Sequence, residues 1–137
     1  MMFKHALKIA LLAVCLLQPV AAAQAEDGIT GFVLSQVADM MNADNPKMVN
    51  ETTRLERVAS EPGPRLVYYY TMLDVSVGSP VLGQARHDLP DYIRGTTCAS
   101  DQVRMLLKAG VAIGFVYQGV DGVSIANVSV SDAICRG

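Results

Sequence analysis

The sequence has few of the residues on which most metal and redox chemistry depends, with two histidines and three cysteines among 137 residues. One of each falls within residues 1–25, which leaves His87, Cys98 and Cys135 in the rest of the chain. A single histidine falls short of most dedicated zinc sites. The two remaining cysteines lack the Cys-x-x-Cys spacing that is typical of redox-active thiols. We therefore expect no metal site and no cofactor.

Other signatures of catalysis and of nucleic-acid binding are also missing. The chain has no Gly-x-Ser-x-Gly elbow and no glycine-rich phosphate loop. Without residues 1–25 the formal net charge falls from −2 to −4, because Lys4 and Lys8 are lost and no acid is. The remainder has no basic patch for nucleic acid. One cluster could still hold a general base or part of a metal site, namely His87, Asp88 and Asp91, although a solvated helix face is the alternative.

The N-terminus has the three parts of a secretory signal. The chain opens with Lys4 and Lys8, the stretch of residues 6–17 is apolar apart from Lys8, and small residues follow up to Ala25. We predict a signal peptide over residues 1–25, cleavage after Ala25, one domain over 26–137 and a periplasmic location. An uncleaved anchor is an alternative, as is lipidation at Cys15. The apolar run is short for a membrane span, and Val14 is bulky for a lipoprotein signal.

Export determines how the two remaining cysteines are interpreted. An oxidising compartment keeps paired thiols as disulfides, so we predict a bond between Cys98 and Cys135. The loop that it closes has about 40 residues, for which chain entropy gives about 4 kcal/mol.

Hydrophobic periodicity predicts a first amphipathic helix that begins near Thr30 and ends before Pro46. Its apolar residues are Ile29, Phe32, Val33, Val37, Met40 and Met41. Residues 53–60 and 65–76 have β-type composition and flank a Pro-Gly turn at 61–64, which predicts a β-hairpin. Both faces of the second strand are largely apolar, so we expect that strand to lie centrally in the sheet.

Two further helical regions follow. Residues 80–94 are helix-compatible but interrupted by Pro90, which predicts one kinked helix or two short ones. Ser100 as an N-cap and Gly110 in the C′ position then bound another helix.

Residues 111–118 and 123–130 predict two strands joined by a turn that contains Asp121-Gly122, a pair typical of β-hairpins. The predicted order is therefore α-β-β-α-α-β-β. This order favours the α+β class, with a four-stranded antiparallel sheet of two hairpins and helices packed on one face. Cys98 and Cys135 would tie the helical layer to the edge of the sheet.

A resemblance spans most of residues 26–137. The residues that carry it are Pro46-Lys47-Met48-Val49, Thr53, Leu55, Tyr68-Tyr69-Tyr70-Thr71, Cys98, residues 107–111, Tyr117, Gly122 and Cys135. In these the chain resembles small exported bacterial proteins of uncharacterised role, which implies an α+β fold with a Cys98–Cys135 bridge and no catalytic residues. In fold architecture alone, it is similar to the periplasmic pilotins that chaperone type II secretin subunits.

Three functional classes compete. We favour a noncatalytic periplasmic factor that binds another protein, as an envelope accessory, chaperone or inhibitor. The alternatives are a small hydrolytic enzyme that uses His87, and a binder of a small apolar ligand between helix and sheet, lined by methionines. We expect the partner to be another envelope protein, with no nucleic acid and no stable membrane span after cleavage.

The tyrosine run offers candidate partner-binding residues: Tyr68, Tyr69 and Tyr70. Successive strand residues point to opposite faces, so at least one tyrosine would be accessible to a partner. The alternative is that the tyrosine rings are buried beneath helices, with their hydroxyl groups at the rim of the core.

Overall fold

The computed structural model describes residues 31–137. The predicted signal peptide and its cleavage site lie outside the described residues, as do Cys15 and the predicted helix start at Thr30. Within residues 31–137, no helix is both long enough and apolar enough to cross a membrane.

The described chain contains four helices and five strands. Helix α1 covers residues 31–42. The elements that follow it are β1 (Lys47–Met48), β2 (Thr53–Glu61), β3 (Arg65–Met72), α2 (Leu82–Ala99), α3 (Asp101–Lys108), β4 (Ala112–Gly119), β5 (Ser124–Val130) and α4 (Asp132–Arg136).

The fold is α+β, as predicted, but the sheet is mixed and five-stranded, in the order β1-β2-β3-β4-β5. The prediction of four antiparallel strands was wrong in two respects. The two-residue strand β1 pairs with Arg54 and Leu55 of β2, and a strand so short has no periodicity to detect. The two hairpins meet through β3 and β4, which are parallel because α2 and α3 carry the chain back to the end where β3 begins.

Strand β3 lies in the middle of the sheet, as predicted. Its partners in β4 align Leu66 with Ile113 and Tyr68 with Phe115, so these side chains share one face. Helix α1 packs on that face against Leu66, while α2 and α3 pack on it against Ile113. The predicted arrangement of helices on one face is therefore present in the described part of the chain.

Helix α1 buries only part of the predicted stripe, since Val37 and Met41 pack in the core and Ile29 lies outside the described residues. The residues that pack in the core are Leu34, Val37, Ala38 and Met41. Three residues of the predicted stripe are exposed instead: Phe32, Val33 and Met40. Apolar residues occupy so much of the helix circumference that periodicity alone does not select the face that meets the sheet.

The region around Pro90 is one helix, α2, and it continues to Ala99 instead of ending near Arg94. Proline removes a single backbone hydrogen bond from the helix. Ile93 and Thr97 are buried beyond it, so tertiary packing extends the helix past the position where the local pattern ends.

Helix α3 has the predicted ends. The hydroxyl of Ser100 accepts a hydrogen bond from the amide of Val103 at 3.4 Å, and Gly110 adopts a left-handed φ of 94°. The predicted disulfide between Cys98 and Cys135 is present, with the Cα atoms 5.3 Å apart. It joins the last turn of α2 to α4, a short helix that the sequence patterns did not reveal.

Candidate functional site

Two of the three candidate tyrosines, Tyr68 and Tyr70, are half-buried and pack against the core. The ring of Tyr68 stacks on Phe115 with centroids 5.6 Å apart, and Tyr70 stacks on Tyr117 at 4.7 Å. The Tyr68 hydroxyl lies 3.7 Å from the sulfur of Met41 in α1. Burial raises the pKa of both Tyr68 and Tyr70. These two rings are therefore partly covered on the face of the sheet that packs against α1.

Tyr69 lies on the opposite face of β3, away from the helices. The guanidinium carbon of Arg57 is 3.8 Å from the centroid of its ring, a cation–π contact. Its hydroxyl is 3.5 Å from a carboxylate oxygen of Glu61. Of the three tyrosines, Tyr69 is thus the one on the polar face of the sheet. Partner binding through the tyrosine run stays a prediction.

The structure places His87 on the outer side of α2 and joins it to one of its two candidate carboxylates. Its Nδ1 is 2.9 Å from Asp88, and that hydrogen bond is the main reason why the His87 pKa is raised. Asp91 instead lies 3.3 Å from Arg94. Across residues 31–137, no three histidine, cysteine or acidic side chains converge as metal ligands would. Both side chains are exposed to solvent, His87 more so than Asp88.

A groove runs along α2, where the loop after β3 faces the helix. We call it the α2 groove; its volume is about 430 Å³, and its lining residues are Met72, Asp74, Val75, Val81, Gln84, Ala85, Asp88, Leu89 and Tyr92. Most of its lining surface is apolar. The sequence reasoning missed this groove, although four of its apolar residues recur at helical spacing: Val81, Ala85, Leu89 and Tyr92.

The floor of the groove is a packed part of the core. Val75 is 1% exposed and clusters with Leu82 and Ile125. Ala85 and Leu89 pack on this cluster from α2. The floor is therefore firm, because its residues are held by the sheet on one side and by the helix on the other.

The outer wall of the groove is the loop between β3 and α2, and the turn between β4 and β5 holds it in place. One carboxylate oxygen of Asp121 accepts a hydrogen bond from the amide of Val77 at 3.0 Å. The amide of Val120 donates to the carbonyl of Val75 at 2.8 Å. The shape of the groove thus depends on contacts between segments about 44 residues apart.

Two carboxylates border the groove, Asp74 from the loop and Asp88 from α2. Hydrogen bonds from His87 and Gln84 lower the pKa of Asp88, so this side chain is ionised at neutral pH. Asp88 is paired with His87 at 2.9 Å, whereas the neighbouring Arg86 donates to the backbone oxygen of Ser124 at 2.9 and 3.1 Å.

A larger cavity of about 850 Å³ lies at the opposite end of β3. It is lined mainly by glycine, proline and serine, and it borders Gly31, the first described residue. Such short side chains give little basis for recognising a ligand, so the α2 groove is the stronger candidate.

Comparison with solved structures finds the same fold in other bacterial proteins. A proposed secreted protein from Pseudomonas aeruginosa superposes with a TM-score of 0.65 at 18% identity, covering 80% of this chain and 96% of that one. No protein-family model and no curated protein matches the sequence.

Two pilotins have the same fold. The pilotin EpsS of the Vibrio vulnificus type 2 secretion system gives a TM-score of 0.67 at 16% identity, covering 83% of this chain and 98% of its own. The type II secretion system pilotin AspS of Vibrio cholerae gives 0.58 at 14% identity, covering 83% and 99%. The chain therefore shares the pilotin fold over nearly the full length of these structures, which confirms the likeness in architecture.

Proposed function

We propose that this protein is an exported, noncatalytic factor of the cell envelope that binds another protein, as a pilotin-type accessory. The observation that carries the proposal is the α2 groove, a preformed apolar surface with an exposed aromatic residue on a fold shared with pilotins. Apolar grooves with aromatic anchors are typical of surfaces that bind partner segments.

The disulfide supports the proposal that the protein is exported. Disulfides such as that between Cys98 and Cys135 persist in the periplasm and are rare in the cytosol. We propose that the mature chain begins at Glu26. N-terminal sequencing of protein from the periplasm should start at that residue; a start at Met1, or a lipid on Cys15, would refute the proposed cleavage.

For the partner we propose a type II secretin subunit, the class that the pilotin resemblance implies. The test uses protein purified from the periplasm and the purified secretin subunit from the same bacterium, with the affinity measured by biolayer interferometry. We expect saturable binding, together with loss of secretin multimers from the outer membrane when the gene is deleted. If neither effect is found, the secretin assignment is wrong.

Binding of a small apolar ligand is a second candidate, because the volume of the α2 groove falls within the range of small-molecule sites. The methionines that were expected to line such a site do not gather there, since only Met72 borders the groove. Native mass spectrometry of the periplasmic protein would show an added mass if a ligand is retained.

The hydrolase alternative and the tyrosine surface are tested separately. The change His87→Ala should leave partner binding unchanged, whereas it would abolish an activity that uses this histidine as a base. The change Tyr69→Ala should weaken partner binding only if the polar face of the sheet contributes to the contact.

A further inference from the structure

We infer that the polar face of the sheet is a second interaction surface, and that it binds an extended acidic segment of a partner protein through Arg57 and Arg65. The inference goes beyond the proposed function, because this face lies on the other side of the sheet from the helices and the α2 groove.

The first argument is the position of the two guanidinium groups. Arg57 in β2 is directly opposite Tyr69 in β3, and its guanidinium lies over the Tyr69 ring. Arg65 is on the same face of β3, and its guanidinium reaches β4, because a Cβ atom on Gly114 would be 2.6 Å from it. Gly114 lies one strand across from Tyr69 and two residues along the sheet. Strand geometry therefore puts the two guanidinium groups about 8 Å apart.

The second argument is that long side chains cover this face of the sheet. Val67 is on the polar face beside Gly114, yet it is only 1% exposed. Because α1, α2 and α3 pack on the other face, the side chains of the sheet itself cover Val67. Arg57 rests on the Tyr69 ring, and Arg65 rests on the backbone of Gly114. Binding therefore has to order fewer freely moving side chains.

The third argument is that both guanidinium groups retain donors for a ligand. Of the ion pairs within residues 31–137, none includes Arg57. The Nε of Arg65 has no hydrogen-bond partner in that part of the chain, since the carboxylate oxygen of Glu61 is 3.7 Å away. A guanidinium has five N–H donors in a planar fork that matches a carboxylate. Each arginine can therefore bind one carboxylate of a partner.

Spacing and charge select the occupant. On one side of an extended chain, side chains two residues apart are about 7 Å from each other, which is close to the separation of the two guanidinium groups. Acidic residues at positions i and i+2 would therefore each meet one arginine. An anionic membrane fits less well, because residues 26–137 have a formal net charge of −4 and Glu61 lies on the same face as Arg65.

The test uses two synthetic peptides of about ten residues with the same composition, a length that spans the sheet when extended. Each has two glutamates in a neutral sequence of serine, threonine and glutamine. The glutamates are at i and i+2 in one peptide and adjacent in the other. Binding to the full-length mature protein, labelled with ¹⁵N, is measured by NMR titration.

We expect the i,i+2 peptide to bind at least about threefold more tightly, because adjacent glutamates point to opposite sides of an extended chain. The largest shifts should be those of the amides of Val67, Tyr69 and Gly114. Raising the salt concentration should reduce the difference between the peptides.

Two variant pairs locate the binding. Arg57→Gln with Arg65→Gln should remove the preference for the i,i+2 peptide. The matched control is Lys108→Gln with Arg136→Gln, which removes the same charge from α3 and α4 and should leave the preference intact. Circular dichroism and thermal unfolding verify that the variants are folded.

Three results would overturn the inference: no binding of either peptide, equal affinity for both, or an unchanged preference in the protein with both arginines replaced. Binding of phosphatidylglycerol vesicles without binding of either peptide would refute it equally, since the surface would then contact a membrane. The proposed function rests on the α2 groove and is tested separately, so that either can fail without the other.

Discussion

Gly119 lies directly against the backbone of Val75, so closely that a Cβ atom on residue 119 would be 2.5 Å from the Val75 carbonyl oxygen. Through this contact the end of β4 packs directly against the loop that forms the outer wall of the α2 groove. The neighbouring hydrogen bond, from the amide of Val120 to the same carbonyl, depends on that approach. The glycine is therefore required by packing between two backbones.

Gly119→Ala should destabilise the protein by about 1–3 kcal/mol, the usual cost of overpacking, because a backbone carbonyl has little freedom to move. Gly114→Ala is the matched control. A Cβ there would meet the end of the Arg65 side chain at 2.6 Å, and a flexible guanidinium can move aside. Urea unfolding of both variants measures the difference; an equal loss would show that the contact at Gly119 is not the constraint.

Loss of the disulfide should lower the free energy of unfolding by about 4 kcal/mol, because Cys98 and Cys135 close a loop with a sequence separation of 37 residues. The double variant Cys98→Ala with Cys135→Ala avoids a free thiol. Its unfolding midpoint should match that of the wild-type protein in reductant. A wild-type midpoint that does not change on reduction would mean that the crosslink contributes little.

The hydrogen bond from Val77 to Asp121, which holds the outer wall of the α2 groove, should weaken at low pH. Hydrogen bonds from the amides of Val77 and Val123 lower its pKa below the ordinary value of 3.8. The stability that it contributes is therefore complete above about pH 5 and is lost as the pH falls through the lowered pKa.

In an NMR titration, the amide proton of Val77 should shift with a midpoint below 3.8, the ordinary value for the aspartate. The change Asp121→Asn should abolish that transition and increase hydrogen exchange at Val77. A midpoint at or above the ordinary value would contradict the contact.

The cap of α3 gives a direct test of the helix boundary. Ser100→Ala should lower stability by about 1 kcal/mol, because it removes the acceptor of the Val103 amide. Ser131→Ala is the control, since Ser131 precedes α4 without a side-chain cap bond and should change little. Comparable losses would mean that the Ser100 hydroxyl does not cap the helix.

Features that depend on residues close together in the sequence were predictable. The turn at Asp121-Gly122, the cap at Ser100 and the central position of β3 all follow from local residue types and from alternation. The pairing of Cys98 with Cys135 followed from composition and compartment, because only two cysteines remained.

The rest depends on tertiary packing that local patterns do not contain. The parallel pairing of β3 with β4 arises from the path of two intervening helices, and the face that α1 buries is selected by the sheet. The α2 groove lies beside a loop that is held by the contact between Val77 and Asp121, which are 44 residues apart. The sequence drew notice to His87 and Asp88 on the solvent side of α2. The apolar stripe beside them was not predicted.

The most direct test of the account is photocrosslinking in living cells with p-benzoylphenylalanine placed in turn at positions 92, 105 and 69. Position 92 lies in the α2 groove, position 105 lies on α3, and position 69 lies on the polar face of the sheet. We predict a crosslink of defined mass to one envelope protein from position 92, and none from position 105. A crosslink to that protein from position 105 or 69 with none from position 92 would contradict the account.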